Sequence, residues 1–205
     1  LLYNILGSRT YSGNITGTGT LGKSGVGTLT LAGTNSYSGT TTLNANGGTL
    51  KMGSASALPL ATPGVLSMTG ANTTLDLNGF DISVSNISAS DTTAIITDNA
   101  AGAGNSTLSL TARSNVINCL VKDGATRTVG VREKNSNTAN SVFAVASLNT
   151  FSGGMVLLNG SGNGTRSWIT AAVTGTPYGT GNITIGEVTT DKAQFSFGAT
   201  ATNAT

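Results

Sequence analysis

The chain has 205 residues, enough for one domain with a sizeable core or for part of a longer repeat array. Charged residues make up 9% and aromatics 5%, His is absent, Gly numbers 29, and 10 basic residues against 8 acidic ones leave a net charge of +2. The lack of like-charge blocks argues against nucleic acid and anionic membranes as partners, no apolar run approaches the roughly 20 residues of a membrane span, and recurrent Val, Ile, Leu and Thr argue against disorder.

Residues 1–6 open the chain as a short apolar, strand-like run. It has no basic start and no small-residue cleavage site, so it is no signal peptide, and the chain reads as a mature or excised segment. Residues 17–24, GTGTLGKS, satisfy the phosphate-loop pattern G-x-x-x-x-G-K-[ST], and Gly17, Gly19 and Gly22 satisfy G-x-G-x-x-G. Both motifs hold phosphate at the start of a helix. Ser24 instead leads into the Gly-rich strand pattern of residues 25–31, so a corner between two strands is expected there.

From that point apolar residues alternate with polar ones. Leu29 and Leu31 flank Thr30, Leu50 and Met52 flank Lys51, Leu66 and Met68 flank Ser67, and Leu75 and Leu77 flank Asp76. Ile82 with Val84, Leu108 with Leu110, Val129 with Val131, Phe143 with Val145, Ile183 with Ile185 and Phe195 with Phe197 continue the alternation. Such runs send one set of side chains to a core and the other to solvent. Corners fall at Gly47-Gly48, Asn78-Gly79, 102–104, Asn159-Gly160 and 179–181, where Gly and Asn tolerate positive φ. No run has the 3.6-residue period of a helix.

Internal repetition selects a solenoid over a sandwich or a barrel. Residues 35–39, NSYSG, followed by Leu43-Asn44, recur as 149–153, NTFSG, followed by 157–159, an offset of 149 − 35 = 114 residues. A fainter copy lies at 10–16, and Leu58-Pro59 is echoed by Pro177-Tyr178. The expected fold is all-β: one parallel β-helix, or β-solenoid, domain over residues 1–205. Within it lie a repeat unit over about 10–112, a divergent insertion at 113–140 and a weaker repeat at 141–205. Strand spacing predicts roughly 20 to 25 residues per coil, with coils about 4.8 Å apart.

Residues 25–43, GVGTLTLAGTNSYSGTTTL, continued by 48–53 and 57–58, resemble the autotransporter-associated β-strand repeat, also called the passenger-associated transport repeat. Residues 74–80, TLDLNGF, resemble the segment that commonly comes after it. The likeness covers 10–112 well and 141–187 weakly, and 113–140 depart from it. The resemblance implies a right-handed parallel β-helix, secreted to a bacterial cell surface, with a role in secretion, adhesion or surface structure.

Chemistry-bearing residues are few. Without His there is no triad base and no ordinary zinc site, and Cys119, inside the apolar run 116–121, reads as a buried, inert thiol. Eight carboxylates exist: Asp76, Asp81, Asp91, Asp98, Asp123, Asp191, Glu133 and Glu187. Asp76 with Asp81 across the Asn78-Gly79 corner, and Asp91 with Asp98, are the candidate pairs for glycoside hydrolysis. Corner capping is the favoured reading of both. Arg127, Arg132 and Lys134, with Glu133 among them, read as a solvated loop. The G-G-x-G-x-D calcium nonapeptide is missing. Sequons begin at Asn14, Asn72, Asn86, Asn105, Asn159, Asn163, Asn182 and Asn203. Tyr3, Tyr11, Tyr37, Phe151, Trp168 and Tyr178 are candidates for a sugar-stacking strip, although repeat equivalence makes Tyr37 and Phe151 structural.

The expected protein is a non-enzymatic, extracellular structural or adhesive fibre module with no catalytic, cofactor or metal site. Flanking repeats or head-to-tail copies cover its open coil ends, residues 1–6 lend a strand to a neighbour, and surface glycans are a further candidate partner. The alternative is a tailspike-like β-helix that binds or cleaves carbohydrate.

Overall fold

The computed structural model describes residues 1–89, 91–112, 114–134, 141–145, 148–158, 167–171 and 178–186. Every strand ladder among them is parallel, and none of these residues is helical. The chain winds as a β-solenoid, each coil adding one strand to each of its faces. One sheet stacks Leu2–Asn4, Leu21–Ser24, Thr41–Leu43, Leu66–Met68 and Ile87–Ala89. The longest ladder has six strands: Ser8–Tyr11, Thr28–Leu31, Gly48–Met52, Thr73–Asp76, Ile95–Thr97 and Leu120–Val121. A third sheet joins Ile82–Val84, Gly104–Leu110, Arg127–Lys134, Met155–Leu158 and Ile183–Ile185. Ser114–Ile117, Ser141–Val145 and Ser167–Ala171 form a fourth.

Period-two alternation becomes continuous interior columns because parallel register stacks like on like. Leu29, Leu50, Leu75, Ile96 and Val121 form one column, and Leu43, Met68 and Ala89 another. Leu108 sits between Ile82 and Val131, and Met155 carries that column to Ile183. Each buried Leu or Ile contributes about 1.5–3 kcal/mol of hydrophobic free energy. Outside, Thr28, Thr49 and Thr74 stack, as do Thr42, Ser67 and Ser88. Neutral hydroxyl ladders avoid the repulsion of stacked like charges, which accounts for the scarcity of charge.

Coil length is not constant. Asn35 reaches a residue 20 positions back, whereas Asn149 reaches one 28 positions back, beyond the 20 to 25 expected. Of the anticipated corners, Asn78-Gly79 is a tight turn, Gly48 and Gly104 open strands, and Asn159-Gly160 lies outside the described residues. At 77–80 the Phe80 amide donates to the Leu77 carbonyl while Asn78 (φ 46°) and Gly79 (φ 86°) both lie in the left-handed region, a type I′ turn. Gly48 (φ 58°) is tighter still, because a Cβ there would strike the Val26 and Gly27 carbonyl oxygens.

The segment whose sequence departs from the repeat stays within the stack over its described part. Ser114–Ile117 pairs with Ser141–Val145, Leu120–Val121 with Ile95–Thr97, and Arg127–Lys134 with Gly104–Leu110. Residues 135–140 lie outside the described residues, as do the alternating Phe195 and Phe197.

Candidate functional site

The phosphate-loop look-alike is a corner followed by strand Leu21–Ser24, then by strand Thr28–Leu31. Alternation turns Leu21 and Lys23 inward, and Lys23 is buried. Its Nζ donates to the carbonyls of Ser24 (3.2 Å), Gly25 (2.8 Å) and Gly47. Burial lowers the Lys23 pKa, while those three acceptors favour the ammonium form. The cation closes a corner from inside and presents nothing to a phosphate.

The carboxylates are staples. Asp76 Oδ1 accepts the amides of Asn78 (3.0 Å) in its own turn and Asn99 (2.9 Å) in the next coil. Asp98 Oδ1 accepts Gly79 N (2.9 Å) and Ala100 N (3.1 Å), and its Oδ2 accepts Arg127 Nε at 2.7 Å. Burial pushes the Asp98 carboxyl up, but hydrogen bonds from Ser106, Arg127 and the two amides outweigh it and hold it below the usual carboxylate range. Asp123 Oδ1 accepts the amides of Val129 (2.8 Å) and Ser152 (3.0 Å), and Asp81 accepts Thr107 N (2.7 Å). Asp91 caps its own turn through Thr93, whose hydroxyl and amide hold its pKa down. Of the candidate pairs, Asp76 reaches into the corner of the adjacent coil that Asp98 caps, and Asp98 engages Arg127. Asp191 and Glu187 lie outside the described residues.

The expected solvated loop around Arg127 is instead strand Arg127–Lys134. Val129, Val131 and Glu133 form its inward set, so the Glu133 side chain is buried, in register with Leu110 and Leu157. The alternation already carried that signal, but the neighbouring charges masked it. Among the described residues no three Cys, Asp or Glu side chains gather to hold a metal ion.

Aromatics divide into two groups. Tyr37, Phe151 and Tyr178 are buried, and the Tyr37 hydroxyl lies 2.6 Å from Thr41 Oγ1. They line the core rather than a sugar-stacking strip. The Trp168 side chain lies outside the described residues. Tyr3 and Tyr11 of the first coil remain partly exposed, ring centroids 5.7 Å apart and planes at 52°. Sequon residues Asn14, Asn72, Asn105 and Asn182 are exposed or half-exposed, Asn86 is half-buried, and Asn159, Asn163 and Asn203 lie outside the described residues. Residues 1–6, expected to lend a strand to a neighbour, already supply Leu2–Asn4 to this chain's own ladder. Cys119 is buried and its thiol pKa pushed up to about 12 by that burial, so the thiolate is scarce at neutral pH.

The repeat equivalence of 35 and 149 is physical. Asn35 Oδ1 accepts Ile15 N (2.8 Å) from the coil before, and its Nδ2 donates to the Ala57 carbonyl (2.7 Å) in the coil after. Asn149 Oδ1 accepts Val121 N at the same 2.8 Å. Both side chains are buried, each two residues before a buried aromatic.

Part of the chain is similar to a curated protein, the adhesin BmaC autotransporter of Brucella suis biovar 1 (strain 1330), with 46% identity over 79 residues. That match covers 38% of this chain and only 2% of the adhesin's length. No protein-family description and no solved structure matches the chain. A β-solenoid with this partial likeness fits an autotransporter passenger repeat. Among the described residues no helix is long and apolar enough to cross a membrane.

Proposed function

We propose that the chain is part of an adhesive β-helix exposed on a bacterial cell surface, built from autotransporter-associated passenger repeats. The observation that carries this reading is the 46% identity to an autotransporter adhesin in a chain whose described coils all stack in parallel. The outer ladders of Thr and Ser suit it, being neutral, flat and rich in hydrogen-bonding groups. A non-enzymatic role is supported by how the carboxylates are used: Asp76, Asp81, Asp98 and Asp123 are engaged with backbone amides. Its partners are surface glycans or proteins on the outer faces, and further coils on its ends, either from the same chain or from a second copy placed head to tail.

Adhesion is tested by coating beads with the chain and counting those retained on host-cell monolayers and on a glycan array. Retention several-fold above beads coated with heat-denatured protein is expected. Retention equal to that control overturns the reading. Release of reducing sugar from arrayed glycans would restore the carbohydrate-cleaving alternative.

A further inference from the structure

One coil carries extra chain at a single corner. From Thr41 to its ladder partner Leu66 the chain runs 66 − 41 = 25 residues, against 41 − 21 = 20 from Leu21 to Thr41 and 87 − 66 = 21 from Leu66 to Ile87. The surplus falls between Ala57 and Gly64. Asn35 Nδ2 still reaches the Ala57 carbonyl 22 positions on, whereas Gly64 stacks on the Gly39 carbonyl 25 positions back. Leu58 and Pro59 are buried before this excursion, and Leu66 after it. Between them Leu60, Ala61 and Thr62 are exposed, Leu60 by 49%. Among the described residues the backbone of 58–63 makes no hydrogen bond. The exposed stretch 16–20, by contrast, is tied to the next coil through the Gly17 carbonyl, which accepts the Ser38 amide at 2.9 Å.

We propose that the Leu60–Ala61 peptide bond is a processing site for an endoprotease with a large apolar primary pocket, and that the nicked chain stays one folded solenoid. An endoprotease binds its substrate as an extended strand, so it needs backbone groups that no ladder already holds. Residues 58–63 offer them, and a loop without ladder bonds opens at far lower cost than a core strand. Within that loop Leu60 is the large apolar side chain turned outward, and it fills the pocket. Ala61 after it is small and, unlike a proline, leaves the bond open to attack. In the cut, water adds its oxygen to the Leu60 carbonyl carbon, the C–N bond to Ala61 breaks, and the Ala61 nitrogen takes the proton. No ladder is severed. Thr41–Leu43 and Gly48–Met52 on one side of the cut stay paired with Leu66–Met68 and Thr73–Asp76 on the other. The bonds from Asn78 Nδ2 to the Met52 carbonyl (2.7 Å) and from the Asn46 amide to the Ala71 carbonyl (3.0 Å) also span it. The inference rests on this loop and stands independently of adhesion.

The probe is chymotrypsin at a low ratio to the folded 205-residue chain, with mass spectrometry reading the bonds cut. A fragment ending at Leu60 and one beginning at Ala61 should appear before any cut after a Leu, Tyr or Phe within the ladders. The two should elute together from size exclusion at the volume of the uncut chain and separate only in urea. Leu60→Gly, a change at an exposed side chain, should slow that cut by at least about tenfold and leave the urea midpoint where it is. Leu60→Phe should keep the cut. Survival of the Leu60–Ala61 bond, or its loss only after a ladder bond has gone, overturns the inference. So does an unchanged rate in Leu60→Gly, and so do fragments that part without urea.

Discussion

The coils around Asn35 and those around Asp98 solve the same problem with different chemistry. Near Asn35 a coil is closed in 20 residues, and the joint to its neighbours is a neutral carboxamide that serves the coil before and the coil after. From Asp76 to Ser152 the side-chain links run up to 29 residues, and carboxylates take up the amides of Gly79, Asn99, Ala100, Val129 and Ser152. A longer coil has more corner, and corner amides have no strand partner to receive them. An anionic acceptor binds such amides more strongly than a neutral one. Arg127 then offsets the charge of Asp98. Charge thus enters this solenoid at corners whose amides lack a strand partner, over joints as short as 19 residues and as long as 29.

Substitutions at five positions break or sharpen that contrast. Asp98→Ala should cost most, about 3 kcal/mol, because it takes from Arg127 its carboxylate partner and from two corner amides their acceptor. Urea denaturation measures it, and a loss smaller than that of any carboxamide joint would erase the contrast. Its pH dependence has a definite sign. The Asp98 pKa is depressed in the folded state, so its stabilisation is complete above the unfolded value of about 3.9 and is lost as pH falls through the folded value. Asp98→Asn should remove that part of the acid slope.

Asn35→Ala and Asn149→Ala should each cost about 1–3 kcal/mol, since each strands a backbone amide, part-buried at Ile15 and buried at Val121. Near-equal losses in the same assay are expected, because the two residues hold equivalent places in coils of different length. A neutral result at either position would deny the equivalence.

Tyr37→Phe should cost about 1 kcal/mol, the hydrogen bond to Thr41. Burial raises the Tyr37 pKa to about 12, with the Thr41 bond pulling slightly the other way. The corresponding stability is therefore complete below the unfolded value of about 10 and is lost as pH rises through about 12. Alkaline denaturation monitored by phenolate absorbance should show a smaller loss in Tyr37→Phe than in the wild type, the remainder including Tyr178, whose pKa burial also raises to about 12.

Asp91→Asn should leave the urea midpoint almost unchanged, because this carboxylate caps only its own turn at the surface. A shift comparable to that of Asp98 would mean that local capping, not the join between coils, sets the ranking.

Much of this was legible in one dimension. Strand alternation, the Asn78-Gly79 turn, the burial of Cys119 and the equivalence of 35 with 149 are all local or periodic signals. Lys23 and Glu133 show where such reading stops. Lys23 sits in a motif whose residue types suggest phosphate, yet its ammonium turns to carbonyls in its own corner and in the coil below. Glu133 keeps the inward phase of Val129 and Val131, but its charged neighbours suggested solvent.

Alternation, corner residues and repetition therefore determined the class of fold, since a period of two with glycine-rich corners admits few packings. Which coil stacks on which at what offset, and hence which carboxylate meets which amide, was decided only in three dimensions. The reason is physical: joints between coils link residues 19 to 29 positions apart, and a shift of one residue in register would exchange inside for outside without altering the local pattern at all.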